Sequence, residues 1–243
     1  MFPYLFATKT KRISAGAFDP ADISGLIYRV DPTYSYTDLG ATTLATDTSL
    51  VRTVVPRIGS PNLARDTGDT NRPTFSATGL NGKPYLIFDG IANKLRAVFT
   101  LAQPYTRITV WRHRDTQDNN HVMMDGGTAD QAYLNFASAN AVSMYASTGR
   151  VSTTASNNVW YSSVEVFNGA SSSLRLNKGT ATIGNPGTGT PDPDGVSFGS
   201  AGNFGLTYPT KADLAYLLIY NRSLNTSEQD LLFDWLRTRF AHY

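Results

Sequence analysis

Carboxylates, imidazoles and thiols carry out most enzymatic chemistry, and this chain is sparing with all three. It has no cysteine and three histidines in 243 residues, which excludes thiolate catalysis, disulfide staples and sulfur-ligated zinc. Only two glutamates occur, Glu165 and Glu228. A retaining glycosidase needs two carboxyl groups about 5 Å apart, one of them keeping its proton near neutrality. Glu165 has Ser163 and Phe167 two residues to either side, so no carboxylate shares its strand face. Glu228 has the spacing of a first-turn helix residue. No Gly-x-Ser-x-Gly elbow accompanies His113, His121 and His242, and no spacing among them points to a shared metal. The chain reads as non-catalytic, with a glycoside hydrolase the least favoured of its three leading functions.

What remains is recognition chemistry. From Thr106 to His113 the residues alternate, with Ile108 and Val110 on one side and Arg107, Thr109, Trp111 and His113 on the other. An aromatic ring with polar neighbours is what a sugar-binding surface requires, so Trp111, Arg107 and His113 form the candidate ligand face. Tyr133 and Tyr145 are candidates to join it from adjoining strands. The competing reading, which the pattern favours, packs this face on a second sheet or a partner subunit. A net charge of +2 and a charged fraction of 16%, without clustered Lys and Arg, argue against nucleic acid. No apolar run is long enough to cross a membrane as a helix.

The elements that would position these groups are mostly strands. Leu214 to Tyr220 is a continuous apolar run that suits a strand covered on both faces. Asn225 or Thr226 then caps a helix over 226–240, with Glu228 or Gln229 at capping-box spacing and Leu231, Leu232, Trp235, Leu236 and Phe240 on its apolar side. Trp160 and Trp235 read as core. Elsewhere a dozen or so short runs are separated by Gly, Asn, Asp and Pro turns. The expectation is an all-β, two-sheet antiparallel sandwich closed by one C-terminal amphipathic helix. Residues 23–243 form its single domain, and residues 1–22 form an arm or edge segment whose Phe2, Tyr4 and Phe6 are the candidate assembly contacts. The N-terminal apolar stretch has Pro3 within it and its charges after it, the wrong order for a secretory signal, so synthesis in a cytoplasm without export is expected.

Four segments carry a family resemblance: SGLIYRVD at 24–31, RPTF followed by LNGKPYLIFDG within 72–90, NGASSSLRLNKG at 168–179, and ADLAYLLIYNRSLNTSEQDLLFDWL at 212–236. The order resembles the concanavalin A-like lectin/glucanase jelly roll in its laminin-G-like form, over nearly the whole chain after about residue 22. In that family the Phe-Asp-Gly bend follows a core strand and a tryptophan like Trp160 precedes the Asn-Gly hairpin. The glucanases there use a Glu-x-Asp-x-Glu strand, which this chain lacks. The resemblance implies no obligate cofactor, although calcium is frequent in the family. Asp192 and Asp194 are the weak calcium candidates, and turn chemistry explains them as well. Similar domains without signal peptides occur in tailed-phage virion proteins. The implied function is a lectin-like structural or attachment module on a virion surface, with virion subunits or further copies of itself as partners. A carbohydrate-binding module recognising a cell-surface glycan is the alternative.

Overall fold

The computed structural model describes residues 18–65, 71–114, 121–126, 133–138, 140–189, 195–200 and 208–243. Phe2, Tyr4, Phe6, Asp192 and Asp194 lie outside them. In chain order the strands are β1 (Leu26–Val30), β2 (Ser35–Tyr36), β3 (Thr53–Val54), β4 (Leu63–Ala64), β5 (Thr74–Ser76), β6 (Tyr85–Ile87), β7 (Leu95–Ala97), β8 (Tyr105–His113), β9 (His121–Asp125), β10 (Tyr133–Ser138), β11 (Ala141–Tyr145), β12 (Arg150–Thr154), β13 (Trp160–Phe167), β14 (Ser172–Leu176), β15 (Thr182–Gly184), β16 (Val196–Phe198) and β17 (Ala212–Tyr220), followed by helix α1 (Thr226–Phe240). They pair antiparallel into two sheets. One runs β15-β14-β13-β8-β17-β6-β5 with β1 added along β17, and the other runs β12-β11-β10-β9-β16-β7-β4-β3-β2. The two-sheet sandwich with one C-terminal helix is the architecture expected from the turn-punctuated strands.

Strand β17 is the spine of the first sheet. It pairs with β8 along its length and with β6 and then β1 on its other flank. All nine of its residues are buried. Ala212, Leu214, Leu217 and Ile219 enter the core between the sheets. Ala215, Tyr216, Leu218 and Tyr220 enter a second core under the helix. The register slips between Leu214 and Tyr216, and this bulge shifts the alternation by one residue. A fully apolar strand is thus explained by two covers, one a sheet and one a helix.

Helix α1 starts where the sequence places it, with Asn225 as the N-cap. Asn225 Oδ1 accepts from the Glu228 amide at 3.0 Å and Glu228 Oε2 accepts from the Asn225 amide at 2.9 Å, a complete capping box. Arg222 donates to both Glu228 oxygens at 3.0 and 2.7 Å, tying the turn to the cap. The buried face differs from the expected one. Gln229, Leu232, Phe233, Leu236 and Phe240 are buried, Trp235 is half-buried, and Leu231 is 44% exposed. Phe233 takes the place assigned to Leu231, joining Leu232, Leu236 and Phe240 in the helix-side core, with the Arg175 guanidinium 5.2 Å from its ring. Of the residues placed in the arm, Phe18 packs on the helix-side core, and Tyr220 Oη donates to Pro20 O at 2.9 Å.

Two outcomes follow. Asn225→Ala removes the cap and lowers unfolding free energy by about 1 kcal/mol in a denaturant titration. His242, whose Nε2 lies 3.0 Å from Ser162 Oγ, is pushed down to about 4 by burial. A histidine held neutral in the folded state while the unfolded chain takes up a proton loses stability as pH falls from about 6.5 toward 4. Melting temperature therefore declines across that window, and His242→Gln removes part of the decline.

Candidate functional site

The structure contradicts the candidate sugar face at Trp111 and bears out the favoured competing reading, in which this face packs against the second sheet. Residues Arg107, Thr109, Trp111 and His113 point between the sheets, while Ile108 and Val110 lie under α1. Both faces of β8 are therefore buried, and the alternation separates two interiors instead of core from solvent. Trp111 has no exposed surface. Its Nε1 donates to Ser163 Oγ at 2.9 Å, and Ser163 Oγ donates to Glu165 Oε1 at 2.6 Å. Arg107 Nε donates to Glu165 Oε2 at 2.5 Å, with Arg107 3% and Glu165 0% exposed. His113, also fully buried, shares a 2.9 Å hydrogen bond with Asn157 Oδ1. Arg107 and Glu165 are direct cross-strand partners in the β8–β13 register. The lone glutamate of the middle of the chain is thus the counter-charge that lets an arginine sit inside the sandwich.

Tyr133 and Tyr145 belong to the other sheet, where their backbones are paired across β10 and β11. Tyr145 is half-buried, donates to Ser147 O at 2.6 Å, and has the Arg150 guanidinium 5.7 Å from its ring. The same face carries Arg96, Ser197 and Asp125 as successive register partners across β7, β16 and β9. Beside them Lys94 is fully buried. Burial pushes its ammonium down to about 8, with Arg96 and Arg65 adding to the shift and Asp125 opposing it. Trp111 and Tyr145 do not form one surface, because a sheet lies between them. Among the described residues no group of three His, Asp or Glu side chains gathers to hold a metal.

Trp160 and Trp235, which the sequence assigns to core, both pack against the helix-side core while staying partly exposed, and an aromatic cluster forms around Trp160. The helix covers the first sheet over Val110, Val164 and Leu218. One register row further out, Trp160, Arg112, Asp213 and Ile87 stand side by side on β13, β8, β17 and β6, and all but Asp213 are half-buried. The Arg112 guanidinium sits 4.9 Å from the Trp160 ring. Tyr85 meets Trp160 edge-on, with centroids 5.4 Å apart. Arg112 and Arg114 both grip Asp213, at 2.6 and 2.8 Å, and Arg114 Nη2 also donates to Phe88 O at 2.9 Å. Burial pushes the Asp213 carboxyl up while Arg114 and Arg112 pull it down. Gly79 is required here, since a Cβ would fall 2.1 Å from the Tyr85 ring. The available signal was parity: Trp160 continues the Ser162, Val164, Val166 series, but at the strand end, where its register partner is an arginine.

No protein-family model matches the chain, and no curated protein does. Solved structures do share its fold. Trypanosoma rangeli sialidase in complex with sialic acid superposes with a TM-score of 0.61 at 17% identity, covering 93% of this chain and 35% of that one. The botulinum neurotoxin serotype D binding domain gives 0.57 at 11% identity, over 93% and 54%. The binding domain of Paraclostridial Mosquitocidal Protein 1 gives 0.53 at 14%, over 88% and 52%. The chain therefore spans about a third of the sialidase and about half of each toxin structure, and at these identities the likeness is one of fold.

Removing one partner of the interior ion pair leaves the other charged and buried. Glu165→Ala is expected to lower unfolding free energy by about 3–5 kcal/mol, and the double variant Arg107→Met/Glu165→Leu to recover most of that loss. Chemical denaturation of the three proteins measures both.

Proposed function

We propose that this chain is a non-catalytic, lectin-like recognition module that binds a glycan against the Trp160–Arg112–Tyr85 cluster. The observation that carries this reading is a partly exposed tryptophan whose position is fixed by a tyrosine edge and a guanidinium over its ring. A sugar presents C–H faces that stack on an aromatic ring and hydroxyls that accept from arginine donors. A site of this kind needs an amphipathic ring and a few fixed polar groups rather than a deep cavity. Held by Asp213, Arg112 and Arg114 are preorganised as such donors. The fold, shared with a sialidase captured with sialic acid and with two toxin binding domains, supports a recognition role.

The non-catalytic part of the proposal rests on how the carboxylates are engaged. Glu165 is bound to Arg107 inside the sandwich, Asp213 is held by two arginines, and Glu228 caps the helix. General acid–base chemistry needs a carboxyl group within reach of substrate and able to exchange its proton. A virion setting, with an N-terminal contact arm and virion subunits or further copies as partners, rests on the family resemblance alone.

A glycan array probed with the full chain tests the proposal. Binding to at least one glycan is expected, and Trp160→Ala should weaken it about tenfold or more, ~1.4 kcal/mol. Tyr145→Ala, on the other sheet, should leave it unchanged. Equal binding by a folded Trp160→Ala protein, or release of a hydrolysed product from any bound glycan, would overturn the reading.

A further inference from the structure

At the opposite margin of α1 from the Trp160 cluster lies a pocket of about 320 Å³, between β14, β15, the intervening turn and the first helical turn. That volume is at the small end of the roughly 300–1,000 Å³ typical of small-molecule sites. Its floor is Arg175 and Gln229, which are 8% and 5% exposed. Arg175 donates from Nη1 to Gln229 Oε1 at 3.1 Å, from Nε to Gly179 O at 3.0 Å, and from Nη2 to Asp230 Oδ1 at 2.9 Å. Gln229 Nε2 donates to Leu224 O at 2.9 Å. The floor is therefore rigid, and Asp230 offsets its one charge.

The walls carry a different chemistry. Ser171, Ser173, Thr180 and Thr226 are among its lining residues, and a hydroxyl side chain can both donate and accept. At the rim Ile183, on the edge strand β15, is 72% exposed and offers an apolar surface beside those hydroxyls. An offset guanidinium does not select an anion, whereas a lining with four hydroxyl-bearing residues and an aliphatic rim matches a ring that is hydroxylated at its edge and apolar across its face.

We propose that this pocket binds a neutral, polyhydroxylated ligand the size of one glycosyl residue, as a site separate from the Trp160 cluster. Its ligand class follows from the pocket's own lining, so the proposal stands or falls independently of the function proposed above.

The test is amide chemical-shift mapping of the full chain, titrated with methyl glycosides of glucose, galactose, mannose and N-acetylglucosamine and with N-acetylneuraminate as the charged comparator. At least one neutral glycoside is expected to shift amides in 171–183 and 226–229. Ser173→Phe, which projects a ring into the pocket from a half-exposed strand position, should weaken that response about tenfold, with Thr180→Trp as the second blocking variant should the first not fold. Trp160→Ala should leave these shifts intact. No response to any neutral glycoside, a response to N-acetylneuraminate alone, or a response that survives a folded blocking variant would each overturn the proposal.

Discussion

A nine-residue strand with no exposed side chain has to be covered on both faces, and much of this structure follows from covering β17. One face takes the second sheet and the other takes α1. The helix can do this only if it begins close to the strand's end. The turn at 221–225 and the capping box at Asn225 and Glu228 provide that start, and Arg222 binds the two together. Because β8 lies beside β17 under the same covers, its polar residues are drawn inside as well. An arginine in that position needs an internal partner, and the register supplies Glu165 opposite it.

The same constraint places the two surfaces proposed above to bind ligands. A single helix of 15 residues covers the middle of the first sheet and leaves its margins. At one margin the strand ends carry Trp160, Tyr85 and Arg112, which stay partly exposed around the buried Asp213. At the other margin the edge hairpin of β14 and β15 meets the first turn of the helix and leaves the hydroxyl-lined pocket. Ion pairs hold these margins in place, through Asp213 at one and Asp230 at the other.

The final strand and helix were legible in the sequence because their signals are local. A continuous apolar run, a breaking Asn-Arg-Ser and a cap followed three residues later by glutamate need no tertiary information. The helix face was less legible: Leu231 and Phe233 are both apolar, and Phe233 is the one that joins Leu232, Leu236 and Phe240 in the core beneath the helix. The Trp111 face misleads for a related reason. Alternation distinguishes two faces but not what covers each, and the partner that makes a polar face tolerable inside, Glu165, is 58 residues away. A solitary glutamate in the middle of an otherwise uncharged strand was the one hint that it answers a buried arginine. Trp160 packs against the helix-side core as its pattern indicates, but a strand's parity says nothing of where a covering helix ends, and so nothing of the part of the ring left exposed.

The most direct measurement is a crystal structure of the chain soaked with the strongest glycan from an array. The account predicts ordered sugar stacked against Trp160, with Arg112 or Arg114 donating to its hydroxyls and the Arg107–Glu165 pair undisturbed between the sheets. Sugar seated on the outer face of the other sheet, against Tyr145 and Arg150, with the Trp160 cluster left to solvent, would contradict it.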